Sequence, residues 1–410
     1  MPESQQRHRA GNTRWRIEVG DCREVLAALP AESVQTVVTS PPYFGLRDYG
    51  TGEWVGGDAA CDHREGHQTG RVTPASKNGM DVANVTRWST CGRCGAVRED
   101  RQIGLEATPE EFVDALVAVF REVRRVLRSD GTLWLNLGDS YATRWSSRRS
   151  DGGRAGLAPG VDRARHHAPP AGYKNKDLIG IPWMVAFALR ADGWYLRSEI
   201  VWAKPNPMPE SVTDRPTRAH EQIFLLTKRP SYYFDAQAIR EPAVSPFDDG
   251  ATWEERKAAG ATWGNVENPK SGGGTQRAVL GAGVSAHLGD GRTRNRRDVW
   301  TVATRPFADA HFATFPPDLI EPCVLAGAPR GGVVLDPFAG AGTTGLVAVR
   351  AGREFVGVEL NPDYAALARE RIETDIRLGH RPPQRAVAAA PGALDLFTAA
   401  EGEADGSLVA

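Results

Sequence analysis

Thr39-Ser40-Pro41-Pro42-Tyr43 and, far along the same chain, Asp336-Pro337-Phe338-Ala339-Gly340-Ala341-Gly342-Thr343-Thr344 decide the fold. Each follows a short apolar run with strand character, Val34 to Val38 before the first and Val333 to Leu335 before the second. In open α/β sheets, ligands lie beyond the carboxyl ends of strands, so two such ends predict a shared crevice. The first stretch offers carbonyls and an aromatic face suited to a flat base. The second offers a carboxylate and a glycine turn suited to a nucleoside-bearing cofactor.

Working outward, Trp15 to Val19 alternates as a strand, Gly20-Asp21 ends it, and Cys22 to Leu29 forms a turn or two of helix. Thr108-Pro109-Glu110-Glu111 is a capping box with proline at the first helical position. Phe112, Leu116, Val119, Phe120, Val123 and Leu127 give that helix one apolar face, Gly131 is expected to end it, and Thr132 to Leu137 reads as the next strand. Pro182 to Arg190 reads as a helix, Trp194 to Trp202 and Gln222 to Thr227 as strands. Phe315-Pro316-Pro317 opens a helix; a strand, the glycine turn, a helix and a strand then lead to Glu359, and Tyr364 to Leu378 is a last amphipathic helix.

Gly340-x-Gly342-x-x-Gly345 fits the dinucleotide fingerprint, and Glu359 lies at the distance of a ribose acid. Asp336 discriminates. A carboxylate just before the first glycine repels a pyrophosphate, whereas it suits the α-ammonium of a sulfonium cofactor without phosphate. No Lys-Ser/Thr pair follows the glycines, which excludes a Walker phosphate loop.

These two motifs together resemble the amino-group DNA methyltransferases, and their order, Ser-Pro-Pro-Tyr first and glycine turn last, resembles the permuted β class. The resemblance implies an α/β fold: a Rossmann-like, mixed, mainly parallel seven-stranded sheet, circularly permuted, with S-adenosylmethionine as cofactor and double-stranded DNA as partner. It implies that Asp336 takes the ammonium, Glu359 the ribose hydroxyls and Asp21 the adenine amino group. Phe338, Gly340, Gly342, Thr343 and Thr344 belong to the same cofactor motif, and Phe315, in His311-Phe312-Ala313-Thr314-Phe315-Pro316, to the segment over the methionine end. Ile200 to Pro207 resembles the late motif beside the flipped base.

The chemistry suits the first motif. Exocyclic amino groups are poor nucleophiles because the lone pair is delocalised into the ring. Two prolines lack N–H groups and restrict the backbone, so the carbonyls of Ser40 and Pro41 can be turned outward, with the Ser40 hydroxyl as a further acceptor. Pro42 carries the turn to Tyr43, whose ring offers a stacking face for a base extruded from the duplex. Serine at the first position resembles the cytosine-N4 subgroup; adenine-N6 is the alternative. Cytosine-C5 chemistry needs a Pro-Cys loop; Pro322-Cys323 falls in a helical run, so Cys323 reads as core, as does Cys22.

Within the polar stretch from Phe44 to Gly104, Cys61-x-His63 and Cys91-x-x-Cys94 have zinc-knuckle spacing, with His67 as another candidate ligand. A segment this polar has little apolar surface to fold on, which suggests a structural zinc.

The expected organisation is 1–43 as the first part of a catalytic half, 44–104 as an insertion with the knuckle, 105–244 as the rest of that half, 245–297 as target recognition, 298–380 as the cofactor half and 381–410 as a disordered tail. The loop 142–176 carries many arginines and lysines and reads either as a solvated disordered loop or as a DNA-contacting loop that orders on binding. The 410-residue chain has a formal net charge of -1, so any nucleic-acid face arises from local segregation of charge. No run is long and apolar enough for a membrane span and no signal-peptide core is visible, which predicts a cytoplasmic protein; the family resemblance implies a prokaryotic or phage-encoded one. A protecting role opposite a cognate restriction endonuclease is the expected biology, with a solitary or phage-encoded methylase as the alternative, the enzyme acting as monomer or homodimer. A nicotinamide oxidoreductase and a non-catalytic DNA-binding protein are the competing classes; the first leaves Ser-Pro-Pro-Tyr and Asp336 unexplained, and the second would show salt-dependent DNA affinity but no methyl transfer.

Overall fold

The computed structural model describes residues 8–10, 13–45, 51–63, 91–106, 108–142, 172–242, 293–305 and 314–379. His67, most of the basic loop, most of 245–297, His311 to Ala313 and the tail lie outside them. In chain order the elements are β1 (His8–Ala10), β2 (Thr13–Val19), α1 (Cys22–Ala28), β3 (Val34–Thr39), β4 (Glu53–Val55), β5 (Val97–Glu99), α2 (Pro109–Val126), β6 (Leu127–Leu137), α3 (Ile181–Ala191), β7 (Tyr195–Ala203), β8 (His220–Thr227), β9 (Glu241–Pro242), β10 (Thr293–Arg294), β11 (Val299–Thr301), α4 (Pro317–Gly327), β12 (Val333–Asp336), α5 (Thr343–Arg350), β13 (Glu354–Glu359) and α6 (Pro362–Arg377).

The strands form a nine-stranded sheet in the order β1-β2-β13-β12-β3-β6-β8-β7-β11. β2, β13, β12, β3 and β6 run parallel, and β8 is antiparallel to both β6 and β7. Seven longer strands thus make the expected mixed, mainly parallel sheet, and the short β1 and β11 extend its edges. β3, near the amino terminus, pairs with β12, near the carboxyl terminus (Val334 opposite Thr36, Leu335 opposite Val37). β2 in turn pairs with β13, so the two ends of the chain interleave in one sheet.

Local sequence accounts for most elements. Thr108 Oγ1 accepts from Glu111 N at 3.1 Å, and the apolar face of α2 buries Phe112, Leu116, Val119, Phe120 and Val123. All six residues of β3 are buried, as expected for a strand covered on both faces. Phe112, Phe120, Leu133, Leu135 and Phe224 are sealed in the same core, each contributing about 1.5–3 kcal/mol by removal from water.

One boundary differs from the expectation. α2 stops at Val126, and Leu127 opens an eleven-residue strand that passes through Gly131. Leu127 pairs with Val34 and is fully buried as a strand residue, and Lys228 Nζ donates to its carbonyl at 2.7 Å. Its burial is satisfied in either conformation, and pairing with β3 decides between them. Gly131 is a packing position inside the strand: a Cβ there would lie 2.6 Å from Leu127 Cγ.

Phe234–Asp298 forms a separate compact unit. Its described residues, 234–242 and 293–298, include a 3-10 turn at Gln237–Ile239 and the β9–β10 pair, where Glu241 Oε1 accepts from Arg294 at 2.8 Å and from Arg297 at 2.9 Å. Among the described residues, no helix is long and apolar enough to cross a membrane.

Candidate active site

A cavity opens beyond the carboxyl ends of β2, β3, β12 and β13. Gly20 and Asp21 reach it from β2, Ser40 to Tyr43 from β3, Asp336 to Ala341 from β12, and Glu359 with Leu360 from β13. Phe315 and Thr343 line it as well, and Thr51 with Arg101 to Ile103 closes another wall. Of the expected site residues, Gly342 and Thr344 stand behind the lining.

Asp336 ties the two motifs together. Its Oδ1 accepts from Thr39 Oγ1 at 2.6 Å, across 297 positions of sequence, and from Phe338 N at 3.0 Å. Its Oδ2 accepts from Thr344 Oγ1 at 2.7 Å. Three of the roughly four acceptor positions of a carboxylate are therefore filled by the protein. The residue is 2% exposed, and this burial pushes its carboxyl up to about 6 against the opposing pull of the three donors.

Gly342 caps α5 at φ +72°, a left-handed conformation that glycine adopts without strain, and a Cβ there would lie 2.9 Å from Ala368 Cβ. Glu359 Oε2 accepts from Gly340 N at 2.8 Å, pinning the glycine turn, and Oε1 accepts from Asn361 N at 2.9 Å. Burial raises the Glu359 carboxyl, partly offset by those N–H groups, and the charge of Asp336 adds to the rise. Asp21 caps α1 through Arg23 N at 2.9 Å, and the Arg23 guanidinium grips both its oxygens. Burial would raise its carboxyl, but the bonds to Arg23 outweigh burial and hold it below the ordinary range.

Pro41 is buried, while Ser40, Pro42 and Tyr43 are half-buried. The Tyr43 ring packs closely on Gly138, where a Cβ would lie 2.5 Å from a ring carbon. Its hydroxyl donates to Glu221 Oε2 at 2.7 Å. Asn136 Nδ2 reaches the same oxygen at 3.3 Å and donates to Gln222 O at 3.1 Å. Lys204 pairs with Glu221 Oε1 and sits 4.2 Å over the Trp202 ring. Lys204 and Trp202 lie in the quoted late motif. Glu221, Asn136 and Gly138 were not legible as site residues, because nothing in a single sequence marks which residues of neighbouring strands will face Tyr43, and the bond from Thr39 to Asp336 was not legible although Thr39 heads the first motif.

Cys22 lines the cavity, yet burial pushes its thiol up to about 12, which disfavours the thiolate that a nucleophile needs. Cys323 is fully buried in α4. Cys61, His63, Cys91 and Cys94 are brought together, with ligand atoms all within 4.8 Å of one another.

The cavity thus joins a Ser-Pro-Pro-Tyr turn, whose aromatic ring is locked in place, to a carboxylate-bearing glycine turn. Comparison with known proteins agrees with this combination. The type II methyltransferase M.XycI of Xanthomonas campestris pv. cyanopsidis is 43% identical over 356 residues, covering 86% of each chain. The type II methyltransferase M.SmaI of Serratia marcescens is 40% identical over 359 residues, covering 87% of this chain and 90% of its own. Among solved structures, the PvuII DNA methyltransferase (cytosine-N4-specific) aligns over 89% of this chain and 92% of its own, with a TM-score of 0.48 and 16% identity. The N6/N4 DNA methylase family model matches residues 34–370, and with relatives this similar over nearly their whole length, the chain belongs to that family of amino-group DNA methyltransferases.

Proposed function

We propose that this protein transfers a methyl group from S-adenosylmethionine to N4 of cytosine within a specific duplex sequence, as the modifying enzyme of a type II restriction–modification system. The observation that carries the reading is Ser40-Pro41-Pro42-Tyr43 lining the same cavity as Asp336 and Glu359, with serine in the first position.

The residues divide the work. Asp336 takes the α-ammonium of the cofactor with its remaining acceptor position, Glu359 the ribose hydroxyls and Asp21 the adenine amino group. Phe315 and Phe338 flank the cofactor. The flipped cytosine stacks on Tyr43 and gives its amino hydrogens to the Ser40 and Pro41 carbonyls. Holding both hydrogens lets the nitrogen pyramidalise. Its lone pair then attacks the methyl carbon in line, the carbon–sulfur bond breaks towards sulfur, and the extra amino proton is lost to solvent. No covalent enzyme adduct forms, in keeping with the protonated Cys22 thiol and the buried Cys323.

The type II assignment rests on the relatives, which are named as type II methyltransferases. The test is methylation of duplex DNA by purified protein, followed by nucleoside mass spectrometry and modification-sensitive sequencing. N4-methylcytosine at a defined motif is expected. N6-methyladenine as sole product would overturn the cytosine assignment, and no methylated nucleoside would overturn the reading entirely.

A further inference from the structure

The role of the Cys61/His63/Cys91/Cys94 cluster is not explained by methyl transfer. We propose that these four side chains hold one zinc ion, and that the ion fastens a wall of the cofactor cavity.

The ligand geometry is the first argument. Cys61 Sγ and Cys91 Sγ are 3.9 Å apart, and Cys94 Sγ and His63 Nδ1 are 3.3 Å apart. A tetrahedral zinc with bonds of about 2.3 Å to sulfur and about 2.0 Å to nitrogen separates its ligand atoms by roughly 3.5–3.8 Å. Those two separations bracket that range, and all four ligand atoms lie within 4.8 Å of one another, so a contraction of at most about 1 Å closes the set on one ion. A disulfide needs sulfurs about 2.05 Å apart, and all of these cysteines are free. Three thiolates and one imidazole select zinc among common ions, and a complete set of four leaves no open position, as in structural sites.

The supporting shell is built for such a site. Gly95 N donates to Cys91 O at 2.9 Å and Cys91 N donates to Ala96 O at 2.6 Å, a tight turn that brings Cys91 and Cys94 to one side. Trp54 of β4 stacks on His63, with ring centres 5.3 Å apart and planes 19° apart. β4 pairs with β5 in only three residue pairs. Among the described residues of 51–100, only Cys91 and Ala96 are buried apolar side chains, and Val55 and Val97 are exposed. A two-stranded ribbon with so small a core does not hold its shape alone, and the metal supplies what the core lacks.

The position gives the ion its role. The two ends of the ribbon are tied together where Thr51 Oγ1 donates to Asp100 Oδ1 at 2.9 Å, an oxygen that also accepts from Gln102 N at 3.0 Å. Arg101 is held against α1 by Glu24 at 2.6 Å and through its carbonyl by Arg23 at 3.2 Å. Thr51, Arg101, Gln102 and Ile103 all line the cofactor cavity. Losing the ion frees both strands that lead into this wall.

The test uses full-length protein purified without chelator. Elemental mass spectrometry should find about one zinc per chain, and Cys61→Ser and Cys94→Ser should each lose most of it. Hydrogen exchange should then show at least tenfold faster exchange at 100–104 after zinc is stripped, with the centre of β12 unchanged. Absence of zinc from wild-type protein grown with added zinc, or zinc retained by both variants, would overturn the site. Zinc loss with unchanged exchange at 100–104 would overturn the wall role. The metal and exchange measurements need no cofactor, so their failure is distinguishable from failure of the methyl-transfer reading.

Discussion

Replacing Asp336 by Asn keeps the side-chain shape and removes its charge, and the structure separates the two consequences. The carboxyl sits at about 6 in the folded chain, against an ordinary value of 3.8. About two units correspond to about 3 kcal/mol between protonation states. Because the folded value lies above the unfolded one, this stabilisation is fully present below pH 3.8 and is lost as pH rises through about 6. At pH 7.5 the ionised carboxylate therefore costs stability, and the amide escapes that cost. Against this gain, the Thr344 hydroxyl faces an amide nitrogen where it met a carboxylate oxygen, a loss of about 1.5–3 kcal/mol for a charge-assisted bond. Thr344 Oγ1 keeps Val38 O as an acceptor at 3.2 Å, and Thr39 with Phe338 N keeps the amide oxygen. The two effects offset, so the melting temperature at pH 7.5 should move by only a few degrees in either direction. The fall in stability of the wild type between pH 4 and 6 should flatten in the variant. Cofactor binding should suffer separately, because an ammonium loses its counter-charge: roughly 1.4–4 kcal/mol, or tenfold to about a thousandfold in Kd. Calorimetric titration with S-adenosylmethionine alongside thermal melts from pH 4 to 7.5 measures both. A variant that melts much earlier yet binds the cofactor with unchanged Kd would refute the cofactor role and leave Asp336 as a clamp between the two motifs.

Three further outcomes test the base side of the cavity. Glu221→Ala removes the acceptor of the Tyr43 hydroxyl and the partner of Lys204; kcat should fall about 10- to 100-fold with cofactor Kd unchanged, and Glu221→Gln should recover part of it through its amide oxygen. An unaltered kcat in Glu221→Ala would remove this residue from the positioning of Tyr43. Tyr43→Ala loses a stacking face of about 1–3 kcal/mol and should lower turnover about 5- to 150-fold without affecting cofactor binding, while Gly138→Ala should mimic it by displacing the ring; normal kinetics in both variants would place the base elsewhere. Cys22→Ala should methylate DNA within about twofold of wild type, since a thiol held near 12 takes no part in the transfer at neutral pH, and trapping experiments should find no protein–DNA adduct.

Much of the site was legible locally. Ser-Pro-Pro-Tyr and the glycine turn carry their conformations in their own residue types, because proline and glycine restrict or free the backbone without help from distant contacts. The Thr108 capping box and the Cys-x-x-Cys turn are local in the same sense, and each is found where its spacing put it. Asp21 shows the opposite case: its carboxylate and its place after a strand were readable, but the grip of Arg23 on both its oxygens was not.

By itself, then, the amino-acid order determined which short segments hold donors, acceptors, thiols and turns, and the succession of the two motifs that marks the permuted family. Tertiary structure alone decided that Leu127 begins a strand, that Thr39 donates to Asp336 across 297 positions, and that Tyr43 meets Glu221 across 178. The physical reason is that a turn is specified by the torsional preferences of a few adjacent residues. A partner across the sheet is specified only when the strand order and register bring the two side chains to one edge, and those depend on how the whole core packs.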